Sequence, residues 1–168
     1  MKTIALVGFM GTGKSAVAIA LAEKLGMRIV STDDLVVQQE GGKSIHDIFK
    51  EKGEPYFRDA EARMVQKASE TQNVVIDCGG GVILRDENLR HLKNSGIVIC
   101  LTATADIIYS RVKDHRHRPL LNVADPQAAI KKLLTERAPF YGKADYTVDT
   151  SRLDVDGVVE KILKIFKK

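Results

Sequence analysis

The chain has 168 residues, 44% of them apolar and 29% charged, with a net charge of +4. That is the composition of one ordinary globular domain, long enough to bury a substantial core. Nucleic acid is a poor fit as a partner, since no basic stripe with interleaved aromatics occurs, and no apolar stretch approaches the length of a membrane span.

The first apolar run, Thr3–Val7, predicts a strand, and no signal peptide is expected ahead of it. It leads into Gly8-Phe9-Met10-Gly11-Thr12-Gly13-Lys14-Ser15, which fits G-x-x-x-x-G-K-[ST]. A helical stripe of Ala16, Val17, Ala20, Leu21 and Leu25 follows, with Gly26 as its stop. Strand, loop and helix together are the setting in which this motif is a phosphate loop. Backbone N–H groups from Gly11 through Thr12, Gly13 and Ser15 to Ala16 then surround a phosphate, and the helix N-terminus adds positive charge behind them. Lys14 can reach the β- and γ-phosphates, and the Ser15 hydroxyl can ligate Mg²⁺.

Met27–Ser31 predicts a second strand, followed at once by Asp33 and Asp34. The stretch to Asn73 is long for one crossover. It reads as a short helix from Asp33, a break at Gly41-Gly42, a capping-box-like start at Ser44-Ile45-His46-Asp47, a break at Gly53, and a longer helix from about Pro55 to Glu70. These helices suggest a substrate-binding insertion, about 33–61, at the sheet edge. Val74–Cys78 predicts the third strand and ends in Gly79-Gly80-Gly81. Ile97–Thr102 predicts the fourth, and Tyr146–Val148 a fifth. Both middle runs are almost continuously apolar, as in strands covered on both faces. Between the last two lies the basic, aperiodic Lys113-Asp114-His115-Arg116-His117-Arg118-Pro119, read as a mobile loop beside the phosphates. Val155, Val158, Val159, Ile162, Leu163 and Phe166 stripe a final helix.

Strands alternating with helices predict an α/β fold, a parallel sheet with helices on both faces. Ligands of such sheets sit beyond the carboxyl ends of the strands, which gathers Gly8–Ser15, Ser31–Asp34 and Asp77–Gly81 into one site. There Asp33 is a candidate to orient an acceptor hydroxyl and take its proton, while Asp34 reads as a helix cap. The triple glycine lets a ligand touch backbone. Arg58 and Arg137 could each grip a carboxylate as a fork, with Glu61 three residues on to orient Arg58; spacing alone leaves both arginines undecided. Arg118 can act as an arginine finger in cis. His115 and His117 lack a third ligand and read as solvated. Cys78 and Cys100 lie in apolar runs, which predicts buried, reduced thiols and a cytoplasmic protein.

Taken together, the chain resembles the shikimate kinases over essentially its whole length. The resemblance rests on the Gly8–Ser15 loop, on Ser44-Ile45…Ile48-Phe49…Gly53-Glu54…Phe57-Arg58…Glu61, on Gly79-Gly80-Gly81, on Arg118-Pro119-Leu120-Leu121 and on Glu136-Arg137…Tyr141. It implies a three-layer P-loop kinase fold with strand order 2-3-1-4-5 and a lid, about 113–124. It implies transfer of the ATP γ-phosphate to the 3-hydroxyl of shikimate, on the route to chorismate and aromatic amino acids, by a monomer using Mg²⁺. Carried over by position, Asp33, Arg58, Gly79, Gly80, Gly81 and Arg137 hold shikimate, with the two arginines on its carboxylate and Phe57 and Glu61 in support. Lys14 and Arg118 stabilise the γ-phosphate, Ser15 binds Mg²⁺, and Arg111 lies against the adenine with the segment near Val155 on its other face. Two positions depart from the family: Ser31 stands where Asp is usual, and Asp77 where a small uncharged residue is usual. Asp77 is therefore expected to replace the missing carboxylate at the metal. The competing readings are another small-molecule kinase of this fold, for gluconate or a nucleoside monophosphate, and a non-catalytic nucleotide-binding module.

Overall fold

The computed structural model describes residues 2–114 and 122–168. Arg118, the two loop histidines and most of the expected lid lie outside the described residues. Five parallel strands form one sheet: β1 (Thr3–Gly8), β2 (Arg28–Ser31), β3 (Val74–Asp77), β4 (Gly96–Thr102) and β5 (Tyr146–Asp149), in the order β2-β3-β1-β4-β5. The expected order is the observed one.

The described residues form eight α-helices around the strands. α1 (Lys14–Leu25) follows β1. α2 (Thr32–Gln39), α3 (Ile45–Lys52) and α4 (Glu54–Ser69) fill the long crossover. α5 (Asp86–Ser95), which no stretch singled out in the sequence had marked, precedes β4. α6 (Ala105–Val112), α7 (Pro126–Tyr141) and α8 (Val155–Phe166) complete the chain.

Alternation along the buried strands divides the core in two. Ile4, Leu6, Val75, Ile99 and Leu101 meet Val17 and Leu21 of α1 and Val158, Val159 and Ile162 of α8. Ala5, Val7, Ile76, Val98 and Cys100 face the other way, against Val65 and Ala68 of α4, Leu92 of α5, Ile108 of α6 and Ile130 of α7. A third, small cluster of Val36, Ile48, Phe57, Ala60 and Met64 unites α2, α3 and α4. α4 thus runs from the small cluster into the main core.

Two glycines predicted to end helices do so with positive φ. Gly26 has φ 63° and closes α1, and Gly53, with φ 83°, separates α3 from α4. Ser44 caps α3, accepting the Asp47 N–H at 3.1 Å. No described helix is long and apolar enough to cross a membrane.

Candidate active site

α1 begins without a side-chain cap and without an acidic residue in its first turn. The other described α-helices have one or the other. An N-terminus left in this condition offers free N–H groups and unopposed positive potential to an anion. Ahead of it the loop is held open by its own chain. Gly8 (φ 142°), Gly11 (φ 76°) and Gly13 (φ 90°) take conformations that other residues resist. A Cβ on Gly8 would collide with the Leu101 carbonyl, and one on Gly11 would come within 2.7 Å of Val112. The Thr12 hydroxyl donates to Phe9 O at 2.8 Å. Lys14 is buried and donates to Gly8 O at 2.7 Å and Phe9 O at 2.9 Å. Burial lowers its pKa, opposed by the charges of Asp77 and Asp33.

Pairing of the strands brings distant carboxylates to this loop. Asp77, the last residue of β3, is level with Leu6 on one side and Ser31 on the other. Its Oδ2 accepts the Ser15 hydroxyl at 2.6 Å. Burial raises the Asp77 pKa, while the Ser15 hydrogen bond and Lys14 pull it back. Asp77 does not hold the Gly79 N–H, which donates instead to the buried Thr32 hydroxyl at 2.9 Å.

Ser31 is the N-cap of α2 and accepts the Asp34 N–H at 3.2 Å. This corrects the reading of Asp34 as a cap: Ser31 does that work, and Asp33 and Asp34 occupy the first turn. Asp33 therefore lies in the first turn of α2, where the helix dipole favours a negative charge. Its pKa is raised, first by burial and then by Asp77, against the lowering effects of Lys14 and Arg58. Lys14, Ser15, Asp33, Asp77, Gly80 and Arg111 line a single cleft of about 380 Å³, within the size range of small-molecule sites.

Arg58 stands beside this cleft on α4. Its Nη1 donates to Glu61 Oε1 at 2.9 Å and its Nε to Glu54 Oε1 at 3.4 Å. Glu61 is 1% exposed, so burial raises its pKa while Arg58 lowers it. Two of the three glycines are explained by these side chains. A Cβ on Gly79 would come within 2.6 Å of Asp33 Oδ1, and one on Gly81 would occupy the Arg58 guanidinium. Gly80 has more room, with Arg137 Nη1 at 3.8 Å from such a Cβ, and its carbonyl accepts the Tyr141 hydroxyl at 3.1 Å. Both arginines rest near phenylalanines: Arg58 Cζ is 5.3 Å from the Phe57 ring centre and Arg137 Cζ 5.5 Å from that of Phe9.

On the far side of the loop, Arg111 Nη1 donates to Gly11 O at 3.1 Å and to Thr150 Oγ1 at 3.0 Å, and its Nη2 donates to Thr150 O at 3.0 Å. Neither Thr32 nor Thr150 stands out in the sequence. Their one signal is position, each beside the carboxyl end of a strand, where a hydroxyl has loop backbone to serve.

A glycine-rich loop with a buried lysine thus shares one cleft with the half-buried Asp33, and Arg58, held by the buried Glu61, stands beside it. A family model described as "Shikimate kinase" matches residues 10–167. A shikimate kinase from Thermodesulfovibrio yellowstonii is 44% identical over 100% of this chain and 96% of its own. Among solved structures, a shikimate kinase from Acinetobacter baumannii in complex with shikimate is 33% identical with a TM-score of 0.94, covering 99% of this chain and 93% of that one. Another, from Aquifex aeolicus, is 37% identical with a TM-score of 0.86, covering 98% and 96%.

Proposed function

The chain belongs to the shikimate kinase family, and on that premise we propose that it transfers the γ-phosphate of ATP to the 3-hydroxyl of shikimate by the following division of labour. One observation carries the reading furthest: Asp33 and Lys14, a base for the acceptor and a cation for the phosphate, share one cleft. Asp33 orients the acceptor hydroxyl and takes its proton. A pKa raised by burial makes it a stronger base than an exposed aspartate. Arg58 and Arg137 bind the acceptor carboxylate, and Phe57 and Glu61 keep Arg58 in place. Backbone at Gly79, Gly80 and Gly81 lines the acceptor.

For the nucleotide, N–H groups from Gly11 to Ala16 cradle the phosphates and Lys14 leaves its loop carbonyls to neutralise the γ-phosphate. Arg118 joins it from a lid at about 113–124, an assignment supported by the Arg118-Pro119-Leu120-Leu121 match. Arg111 packs against the adenine, with the segment near Val155 opposite. The Ser15 hydroxyl and the Asp77 carboxylate are hard oxygen donors side by side at the loop, a set suited to Mg²⁺. Ser15 would ligate the ion directly and Asp77 would hold it through water or through Ser15. Bound with ATP, the ion would neutralise phosphate charge. The enzyme acts as a cytoplasmic monomer, with its buried free thiols Cys78 and Cys100 reduced, and it needs neither nucleic acid nor membrane.

Coupled ADP release tests the reading, with shikimate, gluconate and nucleoside monophosphates as acceptors. Turnover is expected with shikimate. Turnover on another acceptor but not shikimate would overturn it, and ATP binding without turnover on any acceptor would leave a nucleotide-binding module.

A further inference from the structure

We infer that Thr150 is the positioning residue that fixes the plane of the Arg111 guanidinium on the base side of the nucleotide site. Thr150 follows β5 directly and is 2% exposed. Its Oγ1 accepts from Arg111 Nη1 at 3.0 Å and lies 3.2 Å from Thr12 O and 3.0 Å from Thr102 O. With a single proton to give, it donates to one of these carbonyls at a time. Its own carbonyl accepts Arg111 Nη2 at 3.0 Å, while Arg111 Nη1 also reaches Gly11 O at 3.1 Å. Four segments far apart in the chain thus meet at one hydroxyl: the phosphate loop, the end of β4, the end of α6 and the turn after β5.

The geometry matters more than the charge. A guanidinium held by one bond can rotate; one held at both Nη1 and Nη2 presents a fixed flat face, and a flat face is what an aromatic base stacks on. Thr150 supplies two of those acceptors from a single residue. It is itself held, because Ser151 Oγ accepts the Thr104 N–H at 3.0 Å and Asp149 Oδ1 accepts the Ser151 N–H at 2.9 Å. The phosphate cradle keeps separate ties, from Thr12 to Phe9 O and from Lys14 to Gly8 O and Phe9 O. Loss of the Thr150 hydroxyl should therefore loosen the base side and spare the phosphate side. A hydroxyl that only saturated buried carbonyls would affect stability and leave nucleotide affinity alone.

The inference rests on the reading of Arg111 as the adenine-side residue, and the experiment separates the two. Steady-state kinetics are measured for Thr150→Val, Thr150→Ser, Arg111→Met and Thr150→Val with Arg111→Met, alongside inhibition by tripolyphosphate as a probe of the phosphate cradle alone. Thr150→Val should raise KM for ATP about tenfold, the scale of a lost hydrogen bond to a charged group. KM for shikimate and inhibition by tripolyphosphate should stay within about twofold. Thr150→Ser should restore ATP affinity, and Thr150→Val should add nothing once Arg111 is Met. An unchanged KM for ATP in Thr150→Val, or additive losses in the double variant, would overturn the inference while leaving Arg111 on the base. An unchanged KM for ATP in Arg111→Met would remove the Arg111 reading and the inference with it. If Thr150→Val does not fold, Thr150→Cys carries the same test, since a thiol is a weak acceptor.

Discussion

The nucleotide half and the acceptor half proposed for the site are built from different materials. The nucleotide half is largely main chain: glycine-permitted turns, an uncapped helix terminus and a lysine that bonds loop carbonyls. The acceptor half is largely side chain: Asp33, Arg58 and Arg137 on three separate helices, set by Glu61, Phe57 and Phe9. Main-chain recognition is local and tolerates change in side chains. Side-chain recognition is assembled across the fold, and one substitution can remove a whole function from it.

The sharpest way to separate the halves is at Asp33. Asp33→Asn should lower kcat by about 10²–10⁴-fold, the range for loss of a general base, with ATP affinity nearly intact. Direct nucleotide binding and turnover, measured on the same preparation, check it; an unaltered kcat would place the base elsewhere. Next in size, Arg58→Ala and Arg137→Ala should each weaken shikimate by about 2–5 kcal/mol, because a buried carboxylate loses its partner. Gly81→Ala should reproduce much of the Arg58 loss, since its Cβ takes the guanidinium's place. Calorimetric titration with shikimate and with an analogue lacking the carboxylate distinguishes these, the analogue being nearly indifferent to either arginine.

The metal tests the seam between the halves. Asp77→Asn should raise the Mg²⁺ required for activity about 10–100-fold, as for other groups that orient a metal ligand. Ser31→Asp should recover it in the double variant, because Ser31 and Asp77 are level on adjacent strands. A Mg²⁺ titration unaffected by Asp77→Asn would confine that residue to positioning Ser15.

The smallest effect concerns stability. Burial holds the Asp33 carboxyl above its unfolded pKa, so stability present below the unfolded value is lost as pH rises through the folded one. At neutral pH the ionised group burdens the fold and Asn does not. Asp33→Asn should melt about 2–4 °C higher than the parent at pH 7, and the gap should close on acidification through the carboxylate range. Thermal melts across that range check the sign.

What the sequence disclosed follows the same division. The phosphate loop was legible because its chemistry is carried by eight consecutive residues between a strand and a helix. Asp33 was legible because it follows a strand end. The arginines needed the family resemblance, since the room for the Arg58 guanidinium is left by Gly81, more than twenty positions away. Thr32 and Thr150 were invisible. Their partners are backbone groups 47 and 138 residues off, and no spacing rule reaches that far. Ser31 shows the opposite failure. Set against the family it is a lost carboxylate, yet in the fold it is a helix cap.

The cramped turn at Gly79 and Gly81 also bears on drug resistance. A compound seated against that backbone would touch atoms every variant must keep, because any side chain at either glycine displaces Asp33 or Arg58. Escape by single substitution there would disable the enzyme it was meant to protect. An inhibitor leaning on this turn would therefore force adaptation onto the periphery of the pocket, where each change weakens the compound least.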